Sequence, residues 1–151
     1  MLQKLQTMRM LDMNDMLCKF ILKPEHPSYY AFVLAGETSL GEYWEDNPRS
    51  HMHDMMGHIV EWYYNGIAGI QIVEPGASRI LVKPYLPESM KWFKCTYKSV
   101  HGLISVEVNA EDETIDVTIA CPNGVVYSFD DSLLSKGGRN VRLKESNPFS
   151  A

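Results

Sequence analysis

The two halves of the chain place their apolar residues with different periods. In the second half, apolar and polar residues alternate over residues 80–82, 104–108 and 115–121, and shorter runs follow at 125–129 and 141–143. A period of two puts alternate side chains on one face of a strand, so these runs predict half-buried strands. Turn-forming residues such as Asn123-Gly124 separate the runs. Strands and turns at this spacing predict an antiparallel β-sandwich.

The first half carries its apolar residues at helical spacing. Residues 2–22 predict one or two helices. At residues 47–48, an asparagine followed by a proline is typical of a helix cap and first helical position, and an apolar stripe follows over residues 52–67. We expect one helix there, with Gly66 and Gly69 as its stop signals. The fold class is therefore predicted to be α+β, with N-terminal helices followed by an antiparallel β-sandwich.

Composition and charge change in the same part of the chain. Of the 151 residues, 45% are apolar and 22% are charged, which is typical of a globular protein. The net charge is -5, and residues 1–76 hold all of the acidic excess. An acidic chain argues against nucleic-acid binding, and no apolar run reaches the ~20 residues of a membrane span. We divide the chain into a helical segment, residues 1–74, and a β-sandwich domain, residues 75–151.

The three cysteines, Cys18, Cys95 and Cys121, show no Cys-x-x-Cys spacing. Such a set predicts reduced, mostly buried thiols rather than a disulfide framework or a zinc knuckle. No signal-peptide pattern precedes them. Together these features favour a cytoplasmic protein, although the natural N-terminus is left open, and no cofactor is predicted.

An acidic segment with glycine hinges is the first candidate for chemistry. Residues 36–46 contain four carboxylates and two large aromatic side chains. Carboxylates can transfer protons and bind hydroxyl groups, and aromatic rings can stack on a pyranose, as a sugar site requires. The alternative is an acidic surface loop that Trp44 anchors in the core.

A histidine-rich segment is the second candidate. His51, His53 and His58 lie close to Asp54 and Glu61. On a continuous helix, the i, i+4 and i, i+3 spacings around His58 would allow a carboxylate–histidine metal site. No His-Glu-x-x-His pattern is present, and capping or surface histidines are more common. We predict no metal site and keep metal binding as the weakest of three functional hypotheses.

Four motifs in a fixed order carry a family resemblance. They are Pro27-Ser28-Tyr29-Tyr30, Thr38-Ser39-Leu40-Gly41-Glu42-Tyr43-Trp44, Ser50-His51-Met52-His53 and Glu61-Trp62-Tyr63-Tyr64-Asn65-Gly66-Ile67-Ala68-Gly69-Ile70. Their order resembles the C-terminal end of bacterial α-L-rhamnosidases, glycoside hydrolase family 78. The similarity continues through Arg79-Ile80-Leu81-Val82-Lys83-Pro84 and Pro122-Asn123-Gly124, and covers roughly residues 14 to 128.

The resemblance implies the last part of an α/α-barrel followed by an antiparallel β-sandwich. It also implies inverting hydrolysis of terminal α-L-rhamnosides, in which one carboxylic acid protonates the leaving oxygen and one carboxylate activates water. Glu42 matches the position of the general base. His53 matches a histidine that lines the sugar pocket, and Trp44, in the motif of Glu42, is predicted to bind substrate.

The family's general acid lies upstream of the matching region. The resemblance therefore implies that this chain alone is inactive and leaves open whether it should be called an enzyme. It implies a rhamnose-containing glycoside or oligosaccharide as partner of the full-length enzyme, and self-association of this chain to cover barrel-facing apolar residues. The alternative function is a noncatalytic carbohydrate-binding or interaction module formed by the β-sandwich.

Overall fold

The structure, a computed structural model, describes residues 7–8, 10–45, 49–135 and 138–145. It divides into two compact units, Met1–Trp62 and Tyr63–Ala151. The first unit contains α1 (Asn14–Ile21), α2 (Tyr29–Leu34), a 3-10 helix (Asp54–Met56) and α3 (Ile59–Trp62). The second contains a π-helical turn (Tyr63–Ile67), a 3-10 helix (Pro75–Ala77) and the strands β1 (Ile70–Ile72), β2 (Arg79–Val82), β3 (Trp92–Ser99), β4 (Gly102–Glu111), β5 (Thr114–Ala120), β6 (Val126–Phe129) and β7 (Asn140–Glu145). Helices followed by strands confirm the α+β class.

Ser28 connects the first two helices of the first unit. Its hydroxyl donates to the carbonyl of Ile21, the last residue of α1, at 2.8 Å. The same oxygen accepts from the backbone N–H of Tyr30 at 3.1 Å and caps α2. This side chain is fully buried. A small hydroxyl residue suits the position because it satisfies a helix N-terminus and a preceding C-terminal carbonyl together.

The prediction of a single continuous helix over residues 52–67 is wrong. The 3-10 helix ends at Met56, a turn intervenes, and α3 gives way to the π-helical turn, where the Ala68 N–H donates to the Tyr63 carbonyl. Met56 and Ile59 are buried as the stripe requires, but Val60 is about half exposed. The predicted helix start at residues 47–48 lies outside the described residues. Glycines on both sides of α3 weaken helix continuity, which the apolar spacing did not reveal.

Two sheets form a sandwich-like arrangement in the second unit. One has the strand order β1-β2-β6 and the other β3-β4-β5-β7. The pairs β1–β2, β3–β4 and β4–β5 are antiparallel, whereas β2–β6 and β5–β7 are parallel. The predicted sandwich is confirmed, but its sheets are mixed rather than wholly antiparallel. Alternation indicates which face of a strand is buried, but it does not indicate whether the neighbouring strand is parallel or antiparallel.

The predicted strand residues supply the core of this unit. The fully or almost fully buried side chains of β2, β4 and β5 are Ile80, Val82, Ile104, Val106, Val108, Ile115, Val117 and Ile119. Burying each aliphatic side chain contributes about 1.5–3 kcal/mol relative to exposure. The helices of the described residues include none that is long and apolar enough to cross a membrane.

The three cysteines are free and half-buried. Burial raises the pKa of each thiol, and the nearby charge of Asp15 raises the pKa of Cys18 further. A raised pKa keeps a thiol protonated near neutral pH, and the thiolate is the nucleophilic form. The three thiols are therefore in their weakly nucleophilic, protonated form near neutral pH.

Candidate functional site: the loop of Glu42

Two backbone hydrogen bonds bring the acidic segment beside the histidine-rich segment. The Glu42 N–H donates to the Ser50 carbonyl at 3.0 Å, and the His53 N–H donates to the Leu40 carbonyl at 2.8 Å. Residues 40–42 and 50–53 therefore run side by side. Glu42 and His53, two of the three predicted site residues, belong to these paired stretches. We call residues 36–45 and 49–53, which also include the third, Trp44, the Glu42 loop.

Glu42 is held by a two-point ion pair with Arg49. The guanidinium Nε donates to Glu42 Oε2 at 3.1 Å and Nη2 donates to Oε1 at 2.8 Å. The Glu42 side chain is 14% exposed and that of Arg49 is 79% exposed. The Arg49 hydrogen bonds lower the pKa of Glu42, and the charge of Arg49, the Tyr43 hydroxyl and the nearby His53 lower it further. Glu42 is therefore ionised at neutral pH.

His53 caps the short helix that follows the loop. Its Nδ1 accepts a hydrogen bond from the Met55 N–H at 3.3 Å. The nitrogen that faces the helix is thus used locally, and the opposite edge of the ring remains for other contacts. Because residues 40–42 pair with residues 50–53 through backbone hydrogen bonds, the structure brings Glu42 and His53 into the same loop.

Trp44 lies in an aromatic cluster of the first unit. Its ring stacks on Phe32 at a centroid distance of 5.6 Å and meets Tyr29 edge-on at 5.0 Å. Phe20 and His26 lie within 5.9 and 6.5 Å of it. Edge-on and offset arrangements of this kind are the favourable ones for aromatic pairs. This placement favours the anchoring interpretation of Trp44, and a direct role in substrate binding stays a prediction.

The other histidines of the segment have separate local partners. His51 Nδ1 lies 3.3 Å from Glu37 Oε1, and His58 Nδ1 donates to the Met55 carbonyl at 3.0 Å. Asp54, His58 and Glu61 do not lie on one continuous helix, because Asp54 belongs to the 3-10 helix, His58 to the turn after it and Glu61 to α3. Among the described residues, no group of three or more His, Cys, Asp or Glu side chains could hold a metal ion.

Sequence reasoning missed two contacts that shape this unit. One is the pairing of Arg49 with Glu42 across the loop. The other is a buried hydrogen bond in which Trp62 Nε1 donates to Asn14 Oδ1 at 2.9 Å. Asn14 is buried, although its place in the pattern marks it only as a weak helix former. Neither partner is signalled by local spacing, since one pair spans seven residues of loop and the other 48 residues.

Comparison with known proteins gives two consecutive family matches. Residues 4–67 match the bacterial alpha-L-rhamnosidase 6 hairpin glycosidase domain, and residues 69–129 match the bacterial alpha-L-rhamnosidase C-terminal domain. These matches define the class of protein as a glycoside hydrolase. The chain belongs to the bacterial α-L-rhamnosidase family, of which it carries the C-terminal domain and the adjoining part of the glycosidase domain.

Individual relatives agree with this assignment. The chain is 24% identical to an alpha-L-rhamnosidase of Alteromonas sp. (strain LOR), over 77% of this chain and 14% of that protein. An alpha-L-rhamnosidase of Formosa agariphila is also 24% identical, over 72% and 13%. The chain therefore spans only about one seventh of the curated relatives that it matches.

Solved structures share the fold. The alpha-L-rhamnosidase from Dictyoglumus thermophilum aligns with a TM-score of 0.76 and 23% identity, over 82% of this chain and 14% of that one. The Streptomyces avermitilis alpha-L-rhamnosidase complexed with L-rhamnose aligns with a TM-score of 0.72 and 21% identity, over 76% and 12%. The predicted family resemblance is confirmed.

Proposed function

We propose that this chain is the C-terminal portion of an inverting α-L-rhamnosidase, in which Glu42 is the general base and His53 lines the sugar pocket. The observation that best supports this role is the state of Glu42: an ionised, partly buried carboxylate in the same loop as His53, within the segment matched by the glycosidase domain. A base must be ionised before it can take a proton from water. Terminal α-L-rhamnosides are the proposed substrates.

Arg49 sets a condition on this mechanism. It engages both carboxylate oxygens of Glu42, so an attacking water needs at least one of those bonds to open. Because the Arg49 side chain is mostly exposed, its ion pair contributes little free energy and can open at small cost. Opening also removes the main cause of the lowered pKa, which makes Glu42 a stronger base.

The mechanism needs a second carboxylate that this chain is proposed to lack. An inverting site places its acid and base roughly 6.5–9.5 Å apart, with the sugar and the attacking water between them. Of the acids in the Glu42 loop, Glu37 is engaged by His51. The general acid is proposed to lie in a longer protein, upstream of the matched region, and this chain alone is proposed to be inactive.

Hydrolysis of an aryl α-L-rhamnoside tests both parts of the proposal. The isolated chain should give no turnover, and turnover that disappears in Glu42→Gln would overturn the proposed inactivity. In a longer parent protein, Glu42→Gln should lower kcat by roughly 10²-fold or more with a far smaller change in KM.

Matched acidic controls lie in the same loop. Glu37→Gln and Glu45→Gln remove the same charge without touching the proposed base, so they should retain most activity. Equal losses in all three variants would indicate that the loop acts through its total charge. That result would remove the reason for assigning Glu42 as the base.

Three further proposals, a second function, an oligomeric state and a domain boundary, each have their own test. A noncatalytic carbohydrate-binding role for the β-sandwich predicts sugar binding that is unaffected by Glu42→Gln. Self-association predicts a mass above that of one chain in light scattering. The domain division at residues 1–74 and 75–151 remains a prediction, and limited proteolysis with mass spectrometry would locate the accessible boundary.

A further inference from the structure

The outward face of the four-stranded sheet carries a row of four side chains that the Glu42 loop does not use. The register pairs Trp92 with Asn109, Asn109 with Asp116, and Asp116 with Arg142. One residue from each strand therefore lies side by side across β3, β4, β5 and β7. With neighbouring strands ~4.8 Å apart, the row spans roughly 14 Å, about the length of two to three sugar rings.

Trp92 is the unusual member of this row. Its side chain is 63% exposed, whereas Trp62 is buried and Trp44 lies in the aromatic cluster. The next residue, Phe93, points inward and is buried, so the alternation of the strand fixes Trp92 on the outer face. An indole left in water keeps a large apolar face available for stacking on a ligand, while its edge carries a hydrogen-bond donor.

The polar neighbours of Trp92 present hydrogen-bonding groups rather than an unbalanced charge. Asn109 Nδ2 donates to Glu107 at 3.1 Å, and the Asn109 side-chain oxygen has no hydrogen bond among the described residues. Lys94 pairs with Glu107 at 3.5 Å.

The far end of the row is also paired. Asp116 accepts from Arg142 Nε at 2.7 Å and from Lys144 at 2.8 Å. The carboxylates beside the row are therefore paired within the sheet, and because Asp116 has two cationic partners, one exposed positive charge remains at this end. A neutral ligand gains there from hydrogen bonds and from stacking, and an anionic ligand would gain only a weak, solvent-screened attraction to that exposed charge.

We propose that the row Trp92–Asn109–Asp116–Arg142, on the four-stranded sheet of the second unit, is a binding platform for neutral pyranosides. The apolar C–H face of a sugar ring stacks on the Trp92 indole, and the hydroxyl groups bond to the Asn109 amide oxygen and to the paired Asp116 and Arg142. A flat sheet face with one aromatic ring at its edge suits an extended glycan chain lying along the row. The platform does not depend on Glu42 or on hydrolysis.

Indole signals in two-dimensional ¹H–¹⁵N NMR give a direct test on the chain as it stands. The chain has three tryptophans, so Trp44 and Trp62 act as internal references for Trp92. Methyl α-L-rhamnopyranoside and methyl β-D-glucopyranoside are the neutral probes, and methyl glucuronide is the anionic probe. A neutral probe should shift the Trp92 Nε1–H signal in a saturable way at millimolar concentration and leave the other two in place.

Variants locate the contact. Trp92→Ala should weaken binding by about tenfold or more, and Asn109→Ala should weaken it by a smaller factor. Leu103→Ala is the matched control, because Leu103 is an exposed apolar residue on the same face but outside the row. The affinity of Leu103→Ala for the neutral probe should equal that of the unmodified chain.

Four results would overturn the proposal. They are the absence of any shift, a shift given only by the anionic probe, probe binding of unchanged affinity in Trp92→Ala as measured by ligand-detected NMR, and a dimer that dissociates in Trp92→Ala without a change in sugar binding. The last result would identify a second copy of this chain as the occupant. None of these readouts depends on turnover, so failure here leaves the assignment of Glu42 as the base unaffected.

Discussion

The structures of the two units are determined by sequence features of different range: local alternation in one unit and contacts between distant residues in the other. In the second unit, which we call the β-unit, the buried residues of β4 and β5 follow the alternation of their own strands closely. In the first unit, which we call the helical unit, the decisive contacts join distant residues, such as Trp62 with Asn14 and Tyr29 with the Met56 carbonyl. Glu42, the candidate general base, lies in the helical unit. Its position therefore depends on contacts that a local pattern does not reveal.

The largest loss of stability is expected for a substitution at Gly69, where the β-unit leaves no space for a Cβ atom. Gly69 has φ +72°, and a Cβ there would lie 2.1 Å from the carbonyl carbon and oxygen of Lys83. Gly69→Ala adds a steric clash to the cost of a left-handed backbone, so we expect a loss of about 3 kcal/mol or more in the free energy of unfolding, measured by urea denaturation.

Gly138 provides the control within the same unit. It has φ +73°, and a Cβ added there would meet no atom of the described residues within 4 Å. Gly138→Ala should therefore cost only about 1–2 kcal/mol, the cost of the backbone conformation alone. Equal losses for the two variants would mean that the close approach of Gly69 to Lys83 is not what requires glycine.

The second effect compares two tryptophans in the two units. Trp44→Ala removes the ring that contacts Phe32 and Tyr29, so we expect a loss of about 3 kcal/mol in the free energy of unfolding. Trp92→Ala removes an exposed ring and should change this free energy by about 0.5 kcal/mol or less. If Trp44 serves only to bind substrate, both variants should be similarly stable.

The smallest effect concerns the protonation of Glu42. Arg49→Gln removes the main cause of its lowered pKa, so the Glu42 pKa should rise toward the ordinary value, as followed by ¹³C NMR of the carboxyl groups. A carboxyl group whose pKa is lowered by folding stabilises the folded state at pH values above its ordinary pKa. This contribution disappears as the pH falls through the pKa of the folded state. Arg49→Gln should therefore flatten the loss of stability in acid.

A carboxylate of the β-unit gives the contrasting case. The pKa of Asp116 is lowered first by the hydrogen bond from Lys144 and then by that from Arg142. Arg142→Gln leaves Lys144 in place, so the pKa of Asp116 should rise less than that of Glu42 does in Arg49→Gln. A larger rise at Asp116 would show that Arg49 is not the main cause of the lowered pKa of Glu42.

Sequence reasoning recovered the fold class and the family but only part of the local structure. Period-two alternation identified β2, β4, β5, β6 and β7 because burial on one face is a local property, whereas no alternating run had been assigned to β1 or β3. It did not give the parallel pairs, since strand direction is set by how the chain crosses between sheets. The motif order located Glu42 and His53, and the structure places them together. Arg49 was missed because no periodicity links two residues across an irregular loop.

The parallel pairing of β2 with β6 affects the order in which the protein can form during synthesis. A ribosome releases β2 early, but its partner β6 ends only at Phe129, after β3, β4 and β5 have emerged. The hairpins β3–β4 and β4–β5 join neighbouring segments and can form as soon as they leave the exit tunnel. Until β6 arrives, β2 presents an unpaired strand edge to other nascent chains. The three-stranded sheet is therefore the part of the β-unit most exposed to misassembly when translation pauses before residue 129.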